Sequence, residues 1–140
     1  MIRVHKIRLY PNGRQATLLI KSCGVARFAY NWALAEWKRQ YEAGEKPNEA
    51  KLRKQLNAVK RKQFPWMREV SKNAPQQAIK NLGTAFNNAF SRLKKGEKPG
   101  FPQFKRKGIR DRFRADNGPS QALPNAVKVD GQRIQLAVIG

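Results

Sequence analysis

Apolar positions along the chain change spacing three times. Ile2, Val4, Ile7 and Leu9 come close to alternation, with one slip between Val4 and Ile7, and predict a strand with a bulge or twist. Tyr10-Pro11-Asn12 ends it. Asn12 is a suitable N-cap for a helix over 13–20, which Gly24 then interrupts. From there the spacing becomes three and four. Val25, Phe28, Ala29, Trp32 and Ala35 form one face of a helix reaching about Tyr41, with Arg27, Asn31 and Lys38 off the stripe. Gly44 to Pro47 reads as a turn. Asn48 can cap a third helix, apolar at Leu52, Leu56 and Val59 and basic on its other sides. Phe64-Pro65-Trp66-Met67 breaks it: Pro65 presets a turn or short helix, and Trp66 and Met67 are expected as core anchors.

The clearest stripe follows. Ala78, Ile79, Leu82, Ala85, Phe86, Ala89, Phe90 and Leu93 predict a helix with a buried face, capped by Ser71 or Asn73 and with Pro75 in its first turn. Helical spacing stops at the hinge Pro99-Gly100-Phe101-Pro102-Gln103-Phe104-Lys105-Arg106-Lys107. Beyond it lie a short candidate strand over 110–115 and the loop Asp116-Asn117-Gly118-Pro119. Val127-Lys128-Val129 and Ile134-Gln135-Leu136 flank Asp130-Gly131, the signature of a hairpin with a type I′ turn. The first strand lacks a local partner and is expected to pair with the last ones. The fold class is therefore α+β and mostly helical: a small β-module over 1–11 and 97–140, with a helical bundle over 12–96 inserted in it. The final Ala137-Val138-Ile139-Gly140 is apolar and reads as a cut within a larger architecture.

Charge changes the picture more than composition does. The 140 residues carry 30 Lys/Arg against 9 Asp/Glu, a net charge of +21, so a polyanion is the expected partner. The excess is not confined to a tail, because the first acid is Glu36. It is densest from Arg92 to Arg114, ten Lys/Arg against Glu97 and Asp111. Phe101 and Phe104 sit among those cations; the plainer reading tucks them into the core, the sharper one has them stack on bases. Lys72, Asn73, Gln76 and Gln77 fall in the first turn of the clearest helix, where amides can pair with base edges and lysine with phosphate or guanine. Ordinary capping and solvation is the alternative there.

Chemistry is sparse. Cys23 is the single cysteine and His5 the single histidine, so neither a disulfide nor a cysteine- or histidine-based metal site is expected. The acids are scattered, whereas two-metal nucleases need several carboxylates converging on the ions. Asp111 and Asp116 read as ion-pairing and turn-capping residues. With no leader or long apolar run, the expectation is a cytoplasmic, prokaryotic, nucleoid-associated protein with no membrane or small-molecule partner.

Several blocks then line up in order. Ile7-Arg8-Leu9-Tyr10-Pro11-Asn12 with Gln15 and Gly24 to Leu34 resembles the N-terminus of the insertion-sequence OrfB/TnpB transposase-associated family. Trp66 with Glu69-Val70-Ser71-Lys72, the run Gln76, Ala78, Lys80-Asn81-Leu82, Ala85-Phe86 and Phe90, and Gly100-Phe101-Pro102-Gln103-Phe104-Lys105 resemble later family blocks. The hairpin ending in Ile134-Gln135-Leu136 also fits, and the resemblance covers nearly the whole chain.

The resemblance implies a wedge, OB-like β-barrel with an inserted recognition lobe, as in RNA-guided, metal-dependent DNA endonucleases similar to compact type V CRISPR effectors. It implies double-stranded DNA and a guide RNA from the transposable element as partners. By position it assigns DNA contacts to Lys72, Gln76 and the Asp116-Asn117 loop, with Asn73 beside them. Phosphate or RNA contacts fall to Tyr10, Arg27, Lys105, Arg106 and Lys107. The family's RuvC-like domain, with three acidic metal ligands, and its four-cysteine zinc ribbon lack a counterpart, so this chain is expected to bind without cutting and without a cofactor of its own. One alternative is a helix-turn-helix domain reading a transposon end without RNA, its recognition helix being Val25 to Tyr41 or the helix after Asn73. Another is a basic RNA-binding protein of ribosomal type.

Overall fold

The computed structural model describes residues 1–116, 127–137 and 139. Three helices carry the fold: α1 (Gly13–Glu42), α2 (Glu49–Gln63) and α3 (Asn73–Lys94). A 3-10 turn over Pro65–Glu69 links α2 to α3. A hairpin of β1 (Val127–Asp130) and β2 (Arg133–Leu136) follows. The molecule is thus mostly helical with a two-stranded sheet.

Helix α1 starts where the sequence says it should. The Asn12 side chain accepts from the Gln15 N–H at 2.9 Å, and the Gln15 side chain accepts from the Asn12 N–H at 3.0 Å, a reciprocal capping box. Gly24 does not interrupt it. An interior glycine costs only about 1 kcal/mol of helix propensity, and burial of one long face outweighs that. Two expected helices are therefore one of 30 residues.

Its buried line also runs differently. Val25 and Ala29 are buried as expected, Phe28 and Trp32 are half-buried, and Ala35 is exposed. Burial instead follows Ala26, Ala29, Tyr30, Ala33, Leu34 and Trp37. Small residues on that line let α1 approach α3 closely, against Ala74, Ala78, Ile79, Leu82 and Phe86. The Trp37 and Phe86 rings stack at 4.2 Å with an interplanar angle of 8°.

Helix α2 is capped by Asn48, which accepts from the Lys51 N–H at 2.9 Å, and buries Leu52 and Leu56. Met67 is buried as predicted. Trp66 is exposed, its ring resting edge-on against Phe28 at 4.8 Å, because Phe28 and Phe64 already fill the space beneath it. Helix α3 begins at Asn73, with Lys72 as the N-cap residue; Ser71 Oγ accepts from the Asn73 N–H at 3.3 Å. Its stripe is buried down to Ala89 except for the half-buried Ala85, whereas Phe90 and Leu93 emerge into solvent.

The β-rich expectations fare less well. Residues 1–12 form no strand, and Ile2, Val4, Ile7 and Leu9 are exposed. No ladder joins them to the hairpin among the described residues, and no barrel is seen there. Nor is 110–115 a strand: Arg110 takes a left-handed φ of 53°, which breaks extension at its first residue. The hairpin itself is present, with Val127 opposite Leu136 and Asp130 opposite Arg133. Its turn is Gly131-Gln132, one residue later than predicted. Only Gly131 of the two has positive φ (54°), which is the type II′ requirement rather than type I′. Gly118 and Pro119 of the predicted loop lie outside the described residues. Among the described residues no helix is long and apolar enough to cross a membrane.

Candidate nucleic-acid interface

After α3 the chain turns at Gly96 and folds back across α1 and α3. Pro102 is buried on the way and Phe113 packs against the core. Phe101 and Phe104 stay on the surface, against the core expectation. Phe101 meets Phe90 edge-on at 5.8 Å, and Phe104 lies beneath the Lys38 ammonium at 4.9 Å. The α1–α3 core is already filled, so these two rings find only its rim.

The returning loop is tied to α1 at two points. Asn31 Nδ2 donates to the Lys105 carbonyl at 2.9 Å, and Asn31 Oδ1 accepts from the Lys105 N–H at 2.8 Å. Arg27 Nη1 donates to Asp111 Oδ1 at 2.8 Å, and Asp111 Oδ2 accepts from the Gly108 N–H at 3.0 Å. Between these ties, α1, α3 and the loop enclose a cleft of about 460 Å³. Arg27, Lys105, Arg106, Arg110, Arg112 and Arg114 line it, against Asp111 alone among acids. Its α3 wall presents Asn81, Thr84 and Asn88; Ala26, Ala78 and Phe113 contribute apolar surface.

So many cations in one recess repel each other and pay for burial. Burial pushes the Lys105 ammonium below its ordinary pKa, and Arg112 adds repulsion in the same direction. The Tyr30 ring, 4.4 Å from that ammonium, offers partial compensation. Burial pushes the Tyr30 hydroxyl up, with Arg112 opposing. Burial and then Asp111 push the Cys23 thiol up, with Arg27 opposing, which favours the thiol over the thiolate in the cleft wall. A recess that concentrates positive charge around apolar surface and free amides is suited to a phosphodiester chain.

Of the residues named from sequence, Arg27, Lys105 and Arg106 converge on this cleft. Lys107 is exposed beside it but outside its lining. Tyr10 is on the exposed first segment, with the Arg8 guanidinium 5.6 Å from its ring centroid. Asn73 is buried; its Nδ2 donates to the Asp116 carbonyl at 3.1 Å. The Asp116 carboxylate accepts from Gln77 Nε2 at 2.8 Å. Lys72 is exposed at the start of α3, and Gln76 is half-buried in a crease with Lys60 of α2. Asn117 lies outside the described residues. Burial lowers the Lys60 pKa, and Arg61, Lys72 and Arg68 add repulsion, so a second basic patch surrounds this end of α3. Gln77, expected from sequence to offer its amide to base edges, is instead buried and committed to Asp116, whereas sequence reasoning missed the α3 wall of Asn81, Thr84 and Asn88. The 92–114 basic run held the signal for Arg110, Arg112 and Arg114, but not for their convergence.

The metals implied by the resemblance find no donor set here. Among the described residues no three His, Cys, Asp or Glu side chains come together as a metal site.

Residues 1–46 match the family model described as a helix-turn-helix domain, that of the OrfB proteins of the IS605 type. Over those residues the structure holds an extended segment and one continuous helix rather than two helices joined by a turn. The chain is 30% identical over 146 residues to InsQ of Escherichia coli strain K12, named as a candidate RNA-guided DNA endonuclease; the match spans 99% of this chain and 32% of that protein. It is 35% identical over 116 residues to the virulence protein VsdF of Salmonella dublin, spanning 76% of this chain and 95% of VsdF. It is 31% identical over 106 residues to another protein of the candidate endonuclease name, from Streptomyces pristinaespiralis, spanning 74% of this chain and 25% of that protein. The chain therefore spans a third or less of each endonuclease-named relative.

Proposed function

We propose, starting from the fact that the chain belongs to the insertion-sequence OrfB family of TnpB-like proteins, that it is a nucleic-acid-binding unit of a transposon-encoded, RNA-guided DNA endonuclease system. It binds a guide RNA from the element and double-stranded target DNA, and it does not cut. The observation that carries the reading is the convergence of six Lys/Arg on one cleft containing a single acid. The exposed Lys72 and the half-buried Gln76, at the start of α3, are the proposed DNA-facing residues. Asn73 and Asp116 serve them from beneath, since their polar groups are engaged with each other and with Gln77. Cleavage belongs to acidic ligands of the larger endonucleases, and no step is assigned to a metal on these residues.

The second reading is a DNA-only helix-turn-helix domain at a transposon end. The description of the matching family model favours it. Its recognition element would be the outer face of α1, because no turn divides that helix.

The test is pull-down of the tagged 140-residue protein from cells expressing its element, with sequencing of bound RNA against a charge-matched basic control. Enrichment of one RNA from the element's end supports the RNA-guided reading. Control-level bulk RNA, with duplex DNA outcompeting structured RNA, favours the DNA-only reading. In salt titration, neutralising roughly six phosphates gives a log–log slope of about −5 on duplex DNA. A slope of about −1 contradicts a broad phosphate footprint.

A further inference from the structure

We propose that the cleft between α1, α3 and the 105–114 loop is a single-strand site: it takes an unpaired nucleic-acid segment, phosphates on the loop cations and base edges on the amide wall of α3. This rests on the nucleic-acid reading above and narrows it to one ligand form.

Shape carries the argument. Duplex base edges lie at the bottom of a groove about 12 Å wide and 8.5 Å deep, so reading them takes a protruding helix or ribbon. Asn81, Thr84 and Asn88 are solvent-accessible but line a concave recess, the reverse of the protruding surface that reads a duplex groove. Unpaired bases can swing into such a recess and present their pairing edges. The three residues are spaced three and four apart, so they form one row along α3. The side-chain amides of Asn81 and Asn88 make no hydrogen bond among the described residues, whereas Asn31, Asn73 and Gln77 are committed to backbone or carboxylate partners. Each free amide offers both a donor and an acceptor, the pairing that adenine edges accept bidentately. Opposite stand Arg106, Arg110 and Arg112 on the loop, and Phe113 supplies half-buried ring surface between the walls. Backbone charge on one side and base-edge donors on the other fit one strand across the cleft. The same chemistry serves RNA or DNA, and the experiment separates them.

The test is fluorescence anisotropy of the full 140-residue protein with labelled strands of about 12 nucleotides, within the ~4–16-nucleotide site sizes of single-strand grooves. Single-stranded RNA, single-stranded DNA and the matching duplex are compared for wild type and N81A/N88A. The expected result is at least about tenfold weaker single-strand binding by the variant, with duplex binding changed less than about twofold. A preference for RNA or for DNA names the source and supports the site. Equal weakening of duplex and single strand, or wild-type binding to duplex alone, overturns this inference and leaves the nucleic-acid function standing. Wild-type binding to none of the three overturns both. Because both substitutions are at exposed helix positions, circular dichroism checks the fold, and photocross-linking of a 4-thiouridine strand to wild type gives an independent readout. Cross-links within 81–88 and 105–114 support the site; cross-links confined elsewhere overturn it.

Discussion

Asn31 holds Lys105 by both of its backbone hydrogen-bonding groups, through bonds of 2.9 and 2.8 Å spanning 74 residues of sequence. That clamp sets the height of the returning loop above α1 and puts the Lys105 ammonium over Tyr30. Asn31→Leu removes a donor and an acceptor together and leaves the loop backbone without partners. The expected loss is about 1–3 kcal/mol, read as a lowered midpoint in urea melts. Nucleic-acid affinity falls with it, because the cleft loses its third wall. Asn31→Asp keeps the acceptor for the Lys105 N–H and is expected to lose less of both.

Gly83 and Gly24 are both interior to helices but have opposite surroundings. A Cβ on Gly83 would come within 2.8 Å of Glu49 Cβ, where the start of α2 lies on α3. A Cβ on Gly24 would meet only the Arg27 guanidinium, at 3.7 Å. Gly24→Ala is therefore expected to stabilise by about 0.5–1 kcal/mol through helix propensity. Gly83→Ala gains the same propensity but forces α2 outward, for a net loss of about 1–2 kcal/mol. Thermal melts of the two variants check the opposite signs.

This pair also shows what sequence could and could not deliver. Gly24 reads as a breaker from its type alone, yet the cost of one glycine is small beside the burial of a continuous face. The caps at Asn12 and Asn48 and the stripe from Ala78 to Ala89 were legible because they depend on neighbours a few residues away. The phase of α1 was not. Two apolar lines run along it, and only the approach of α3 selects the alanine-rich one. Ile2 to Leu9 has strand spacing but gains no ladder among the described residues, since a strand needs a partner its own residues cannot supply. For the site, the basic run around Lys105 and the place of Arg27 were visible as charge. The Asn31 clamp and the Asn81–Asn88 wall arise from contacts between distant segments, which spacing does not encode.

Lys60 and Lys105 make stability depend on pH in a defined direction. Burial lowers both below the ordinary lysine value of 10.5, and Arg61 and Arg112 respectively add repulsion. An unfolded chain keeps these protons to a higher pH than the folded one does. Between the lowered values and 10.5 the unfolded state binds more protons, so their contribution to stability rises with pH. Cys23 and Tyr30, raised by burial, act with the opposite sign above 9.0 and 10.0. The lysine contribution is therefore isolated as the difference between wild type and K60M. K60M is expected to be the more stable at neutral pH, with the gap closing as pH rises. A gap that widens with pH would contradict the assignment.

Asp111 is the single acid among the six cations that line the cleft. One carboxylate oxygen holds Arg27 and the other accepts the Gly108 N–H, inside a cleft otherwise lined by cations. Both partners of the Arg27 pair are partly solvated, with side-chain exposures of 22% and 37%, so the pair itself contributes about 1 kcal/mol or less to stability. Its larger effect is on ligand: the carboxylate repels an incoming phosphate and keeps the Arg27 guanidinium engaged. Asp111→Asn retains an oxygen for the Gly108 N–H, preserving the turn, but removes the charge. It is expected to tighten nucleic-acid binding by about threefold to tenfold, the equivalent of roughly 0.6–1.4 kcal/mol, and to change melting little. Asp111→Lys would lose the turn contact and confound the comparison, so the isosteric change is the informative one. Anisotropy titrations at two salt concentrations check it: the gain should shrink as salt screens the cleft, and weaker binding by D111N would show that Asp111 serves the loop rather than competes with the ligand.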